Sequence, residues 1–168
     1  MRSGLRRLAV AVAAVTVAAA GSVAVSADVA TAAASDACSY TMRLNTDDIS
    51  TGNLGYIGYV EMRYSSGCHR VEAVMHIDSG FAASHSGWNA RVTIRTTQGF
   101  SAATPYRNTS QSDLLSPSVS IWGQSTEQFQ ADVDWTYNCN ELETVTAAWD
   151  FSNGTVVGSP NGSGRWLC

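Results

Sequence analysis

The sequence contains no lysine, and only 14% of its residues carry a charge. The absence of lysine excludes Schiff-base chemistry and any nucleophile that depends on a lysine base. Ten arginines stand against fourteen acidic residues, which gives a net charge of −4. Nucleic acids and anionic membranes are bound through basic surfaces, so this composition argues against both as partners.

The short motifs that carry catalytic chemistry are also missing. The chain has no Gly-x-Ser-x-Gly, no His-Glu-x-x-His and no glycine-rich phosphate loop. It has three histidines and many serines, but a nucleophilic serine needs a base and an orienting acid, and no pattern here brings the three together. We therefore expect a non-catalytic protein and predict no cofactor.

The first 34 residues have the pattern of a secretory signal peptide. Three arginines precede a run of mostly alanine and valine over residues 8–27, and Ala32-Ala33-Ala34 then forms a small-residue site with the cut before Ser35. The alternative is an uncleaved membrane anchor, since the apolar run is about long enough to span a bilayer. We predict a secreted, extracellular mature chain of residues 35–168, with no membrane segment after cleavage and a net charge of about −6.

Four cysteines remain in this mature chain: Cys38, Cys68, Cys139 and Cys168. An even number of cysteines in an exported protein indicates two disulfides. Three pairings are possible, and we favour Cys38–Cys68 with Cys139–Cys168 because each joins sequence neighbours and together they tie down both termini. A zinc site is the alternative, against which the lack of a Cys-x-x-Cys spacing argues.

Apolar and polar residues alternate with a period of two along most of the mature chain, which is typical of half-buried strands. Seven or eight such runs occur, at 38–44, 58–64, 71–77, 88–95, 119–121, 129–137, 144–151 and 155–157. Strands with one apolar face must bury those faces against each other. We predict an all-β, two-sheet antiparallel sandwich, or a small closed barrel, with two disulfides. The best helix candidate is the short segment 110–115.

Two segments fall outside this alternation. Residues 100–117 are polar and form the longest irregular stretch. Long ordered loops often carry function, so this one could be presented to a protease by an inhibitor, although a plain crossover between sheets is the simpler interpretation. The tail over residues 158–164 is rich in glycine and would be flexible if Cys168 did not pin it.

Charged residues suggest two candidate sites for chemistry. Asp132 and Asp134 lie two apart on one predicted strand, so their side chains share a face about 6.5–7 Å apart. Such a pair could serve a small secreted hydrolase if burial raised the pKa of one carboxyl. His76, Asp78 and Glu72 share a face of another strand in the same way and could form half a metal site or a base. The simpler interpretation of both sets is a solvated sheet face.

A third charged segment offers oxygen atoms that could bind calcium. It consists of Thr46-Asp47-Asp48, with Asn53 nearby. The spacing of these residues is not that of an EF-hand, so we predict no metal there.

Aromatic residues give the more useful indication of function. Trp88, Trp135 and Trp149 are in phase with apolar neighbours and are predicted to lie in the core. Trp122 is out of phase with Val119 and Ile121, and Tyr59 is out of phase with the apolar residues beside it. Exposed aromatics on a sandwich can stack on sugar rings or anchor a protein partner. We therefore predict a binding or interaction module for carbohydrate or a protein surface, with Trp122 and Tyr59 as its contacts. The oligomeric state is left open.

Residues 58–74 resemble a segment of a family of small secreted actinobacterial proteins of unknown function. The resemblance rests on a strand ending in Arg63-Tyr64-Ser65, a short turn, Cys68 and a second strand. The family carries an aromatic residue where Glu72 stands here. The resemblance implies an exported β protein and assigns no activity or catalytic residue.

Overall fold

A computed structural model describes residues 38–99, 101–124, 127–166 and 168, with only the backbone of Arg165 and Trp166. The predicted signal peptide lies outside these residues. The strands are β1 (Met42–Thr51), β2 (Gly55–Ser65), β3 (Arg70–Ile77), β4 (Trp88–Thr96), β5 (Ser101–Ala103), β6 (Arg107–Thr109), β7 (Asp113–Leu115), β8 (Val119–Ser120), β9 (Gln128–Tyr137), β10 (Asn140–Val145), β11 (Ala148–Asp150), β12 (Thr155–Val157) and β13 (Asn161–Trp166). One helix, α1 (Ser79–Ser84), joins β3 to β4 in the described part.

These strands form two antiparallel sheets. The first sheet, sheet A, has the order β1-β2-β3-β7, and β8 also pairs with β3. The second, sheet B, has the order β12-β11-β9-β10-β13. In sheet B, β10 and β11 pair with successive parts of one edge of β9. The other edge of β9 pairs with β4, and β4 also pairs with β5 and β6. The predicted all-β sandwich is confirmed, and the described strands do not close into a barrel.

The core lies between the two sheets, where the apolar sides of the alternating runs meet. Trp88, Phe129 and Trp135 are the largest side chains that are completely buried. From sheet A they are met by Val60, Met62 and Met75, which are also fully buried. The period-two pattern therefore identified the buried face of the central strands correctly.

Each predicted disulfide is present. Cys38 is bonded to Cys68 with their Cα atoms 5.6 Å apart, and Cys139 is bonded to Cys168 with 5.3 Å between Cα atoms. The first ties the start of the described chain to the turn between β2 and β3, and the second ties its end to the turn between β9 and β10. No helix in the part of the chain described here is long and apolar enough to cross a bilayer.

The predicted helix at 110–115 is wrong. That segment contains β7, and it is a strand because Leu114 is buried opposite Met75 of β3. The helix instead begins after Asp78, whose carboxylate accepts hydrogen bonds from the backbone N–H groups of Gly80 and Phe81 at 2.8 and 3.1 Å. An aspartate in this position is a typical N-cap.

Other strands differ from the sequence prediction at their ends. The predicted run 144–151 is two strands, β10 and β11, which are interrupted where the backbone N–H of Thr146 donates to the carbonyl of Ala131. Segment 100–117 contains β5, β6 and β7 and passes from sheet B to sheet A, so it is a crossover. The glycine-rich tail forms β13, which the sequence did not predict.

Candidate ligand-binding sites

Trp122 lies on the surface two residues after the end of β8, and 64% of it is exposed. Its ring stacks on the imidazole of His69, with ring centroids 4.1 Å apart and the planes inclined by 26°. His69 is held in turn by a 3.1 Å hydrogen bond between its Nδ1 and the Tyr64 hydroxyl. The indole is thus supported on one face and open to solvent on the other, as a stacking contact for a ligand requires.

Tyr59 is half-buried on the outer face of sheet A. His76 stacks on its ring with centroids 4.6 Å apart, and the guanidinium carbon of Arg43 lies 5.3 Å from the ring centroid. Arg43 also donates to the Tyr59 hydroxyl at 3.2 Å. Tyr59 is therefore engaged within the protein and presents much less ring surface than Trp122.

The structure does not bring these two aromatic residues into one patch. Tyr59 is opposite His76 at one end of β3, whereas Trp122 stacks on His69, which precedes the other end. Seven residues of extended chain correspond to about 20 Å. A ligand on Trp122 would have to be longer than this to reach Tyr59 as well.

His76 is hydrogen-bonded to two carboxylates that the sequence did not suggest. Its Nε2 lies 2.9 Å from Glu61 Oε1, and its Nδ1 lies 2.9 Å from Asp113 Oδ1. Asp78 caps α1 instead, and Glu72 accepts a 2.7 Å hydrogen bond from Arg63. Because both ring nitrogens are occupied, this arrangement offers neither a free base nor a metal ligand.

Glu61 is the residue around which this network forms, and sequence reasoning missed it. It is only 3% exposed and makes ion pairs with Arg43 and Arg63, besides its contact with His76. Glu61 lies on β2, and the register places it diagonally opposite His76. Only the pairing of β2 with β3 could have identified it.

The segment that offers oxygen atoms to calcium is part of a strand. Thr46, Asp47 and Asp48 belong to β1, so the two aspartates point to opposite faces of the strand. Carboxylates on opposite faces cannot bind one ion together.

Asp132 and Asp134 share the outer face of sheet B as predicted, and Glu143 joins them because it lies opposite Asp134. One oxygen from each carboxylate lies within 4.8 Å of the other two. Two arginines of β4 neutralise much of this charge. Arg91 donates to Asp134 Oδ2 from Nε at 2.8 Å and from Nη2 at 2.5 Å, and Arg95 Nη1 lies 3.3 Å from Asp132 Oδ2.

Burial raises the pKa of Asp132 to about 6, because a carboxylate loses hydration in this position. The positive charge of Arg95 lowers this pKa, whereas the negative charges of Asp134 and Glu143 raise it further. Asp132 is 4% exposed, and its Oδ1 is buried without a hydrogen-bond partner. A general acid must contact the atom that it protonates, so this carboxyl is poorly placed for catalysis in spite of its pKa.

A cleft of about 460 Å³ opens at the edge of the sandwich, between the end of β1 and strands β10 and β13. The residues along it include Asp48, Asn53, Asn140, Leu142, Thr144, Gly162 and Gly164. Its size falls within the range of small-molecule sites. Sequence reasoning missed it because the cleft depends on β13, and the only available signal was the spacing of glycines in the tail.

Comparison of the chain with protein-family models, curated proteins and solved structures finds no match. The resemblance of residues 58–74 to a secreted family therefore stays a prediction.

Proposed function

We propose that this protein is an exported, non-catalytic binding module that contacts carbohydrate through Trp122. The observation that carries the proposal is the exposed indole, which stacks on His69 and leaves one face to solvent. The two disulfides and the signal pattern of the first 34 residues support export. An exposed tryptophan ring leaves a large apolar surface in water, and contact with a ligand can bury up to about 250 Å² of that surface.

A hydrolase is the less favoured function, although carboxylates converge on sheet B. The acid with the raised pKa, Asp132, has an oxygen buried away from any substrate. Asp134 is held by Arg91, and both ring nitrogens of His76 are engaged. A protease inhibitor is also less favoured, because segment 100–117 is paired with both sheets rather than projecting as a free loop.

Carbohydrate is the favoured ligand because the two groups that contact Trp122 in the described part of the chain, Ser120 and His69, are polar. The backbone N–H of Trp122 donates to Ser120 Oγ at 3.1 Å, and the stacked partner His69 is polar. A flat aromatic face beside hydroxyl and imidazole groups suits a sugar ring, which has an apolar face and polar edges. A protein surface is the alternative outcome of the test.

A glycan and polysaccharide binding screen on the oxidised protein tests this function. We expect the wild type to bind at least one polysaccharide and Trp122→Ala to weaken that binding by about tenfold or more. The reason is that loss of one stacked ring removes about 1.5 kcal/mol, which corresponds to a factor of ten. Affinity electrophoresis and calorimetric titration would measure the change.

Tyr106→Ala is the matched control, because Tyr106 is another exposed aromatic, 47% accessible, whose hydroxyl donates to Thr136 on sheet B. It should leave binding unchanged. Equal binding by wild type and Trp122→Ala would refute the contact at Trp122. Capture of a protein instead of a glycan would show that the ligand is a protein rather than a carbohydrate.

A further inference from the structure

His69 has a backbone conformation that favours glycine. It is the last residue of the turn between β2 and β3, and its φ is +51°. A side chain is strained in this left-handed region, although histidine tolerates it better than most residues do. The chain is fixed on both sides of it, since Cys68 is bonded to Cys38 and Arg70 is the first residue of β3. Contacts of the imidazole therefore have to compensate for the strain of this backbone conformation.

The imidazole is held from two sides. Its Nδ1 lies 3.1 Å from the Tyr64 hydroxyl, and its ring stacks on the Trp122 indole with 4.1 Å between the centroids. Tyr64 in turn packs on Phe151, with 4.9 Å between ring centroids, and Phe151 contacts the fully buried ring of Phe129. A row of side-chain contacts thus connects the exposed indole with the core of the sandwich.

The backbone that carries Trp122 is tied to the same place. The Ile121 N–H donates to the His69 carbonyl at 3.0 Å, and the Trp122 N–H donates to Ser120 Oγ at 3.1 Å. Ser120 belongs to β8 and lies opposite Arg70 of β3. These bonds fix the main chain at Trp122, and the contact with the imidazole sets the orientation of its side chain. An indole that is already fixed in one orientation loses less conformational freedom when a ligand binds.

We infer that His69 is a positioning residue, which holds the Trp122 indole with one face toward the protein and the other toward a carbohydrate ligand. This inference deepens the proposed function and rests on it for the identity of the ligand. Glycine at position 69 would satisfy the backbone without strain, but it would leave both faces of the indole exposed and its orientation free. The stack on Trp122 therefore gives a reason for an aromatic side chain at this strained position.

Three variants separate this role from a structural one. His69→Gly removes the ring and should fold, because glycine adopts a positive φ without strain. His69→Phe keeps a ring for the stack and loses the hydrogen bond to the Tyr64 hydroxyl. His85→Ala is the matched control: His85 also stacks on an aromatic ring, that of Phe81 with 4.2 Å between centroids, but it follows α1 beyond the other end of β3. Thermal unfolding curves would show that all three variants fold.

The first measurement is affinity electrophoresis through gels that contain hydroxyethyl cellulose, xylan or glycol chitin. For a polysaccharide that retards the wild type, His69→Gly should weaken binding by about two- to tenfold, which is the range expected for loss of one aromatic contact. His69→Phe should bind within about twofold of the wild type, and His85→Ala should bind equally well. Binding that is as weak in His69→Phe as in His69→Gly would show that the ring is not what positions the indole, and would overturn the inference.

The second measurement needs no saccharide. In fluorine NMR of protein labelled with 5-fluorotryptophan, the indole of Trp122 gives the signal that is missing from Trp122→Ala. In His69→Gly this signal should shift more between light and heavy water than it does in the wild type, because a second face of the ring meets solvent. In His69→Phe it should shift as in the wild type. The signals of Trp88 and Trp135, which are fully buried, serve as internal references. An unchanged solvent shift in His69→Gly would overturn the positioning role.

The two measurements distinguish failure of this inference from failure of the proposed function. A wild type that none of the polysaccharides retards counts against the carbohydrate ligand, and the fluorine signal still decides whether His69 fixes the indole. A polysaccharide that binds the wild type and His69→Gly equally well, but not Trp122→Ala, leaves the proposed function standing and overturns the positioning role.

Discussion

Replacing Cys38 and Cys68 by serine should lower the free energy of unfolding by about 3–4 kcal/mol, and so should replacing Cys139 and Cys168. The bonded cysteines are 30 and 29 residues apart in the chain. Opening a loop of that size increases the conformational entropy of the unfolded chain by this amount. Urea unfolding of the wild type and the two double variants would measure the loss. A small domain has a total stability of about 5–15 kcal/mol, so either change removes a large part of it.

Reduction of the wild type provides the control. Dithiothreitol should bring the wild type below both double variants, and each variant should lose only its remaining disulfide. Losses below about 1 kcal/mol, or a wild type whose unfolding midpoint does not respond to reductant, would contradict the expectation.

The local sequence pattern predicted which face of each central strand is buried, because this depends only on the alternation of residues within that strand. In β9, Phe129, Val133 and Trp135 alternate with Asp132 and Asp134, and the structure buries the first three completely or nearly so. The disulfide pairing followed from sequence proximity. Both predictions need no knowledge of which strand lies beside which.

The partners across strands could not be predicted in this way. His76 was assigned to Asp78, two residues along the chain, but the chain turns into α1 at Asp78 and the true partners come from β2 and β7. Glu143 joins Asp132 and Asp134 only because β10 pairs with β9 in one register. A shift of that register by one residue would turn Glu143 to the opposite face.

Strand β13 shows a different limit. Its residues, from Asn161 to Trp166, have no apolar alternation and include two glycines, so local propensity argues against a strand. It forms because β10 offers an open edge and the disulfide at Cys168 holds the chain against it. The cleft depends on this tertiary constraint, and for that reason the spacing of glycines in the tail was the only sequence signal for it.

Asp132 should make the protein less stable as the pH rises. Its pKa is about 6 in the folded protein, whereas the ordinary value for an aspartate is 3.8. The folded state therefore holds the proton more tightly than the unfolded chain does. The resulting cost is absent well below pH 3.8, grows as the pH rises from there toward 6, and is complete above that. A shift of this size corresponds to about 3 kcal/mol. Asp132→Asn removes the titration and should be more stable than the wild type by up to that amount at pH 8.

The pH dependence of the difference is the decisive measurement, because it cancels every other titrating group that the two proteins share. Urea unfolding at pH 4, 6 and 8 should give a difference that is smallest at pH 4 and widens with each step. Asp134→Asn is the matched control on the same strand face: it loses the ion pair with Arg91 and should not gain stability at pH 8. An Asp132→Asn variant whose advantage is constant across these pH values, or is largest at pH 4, would show that Asp132 is already ionised at low pH. In that case the ion pair with Arg95 would stabilise the buried carboxylate by more than the loss of hydration and the oxygen without a hydrogen-bond partner destabilise it.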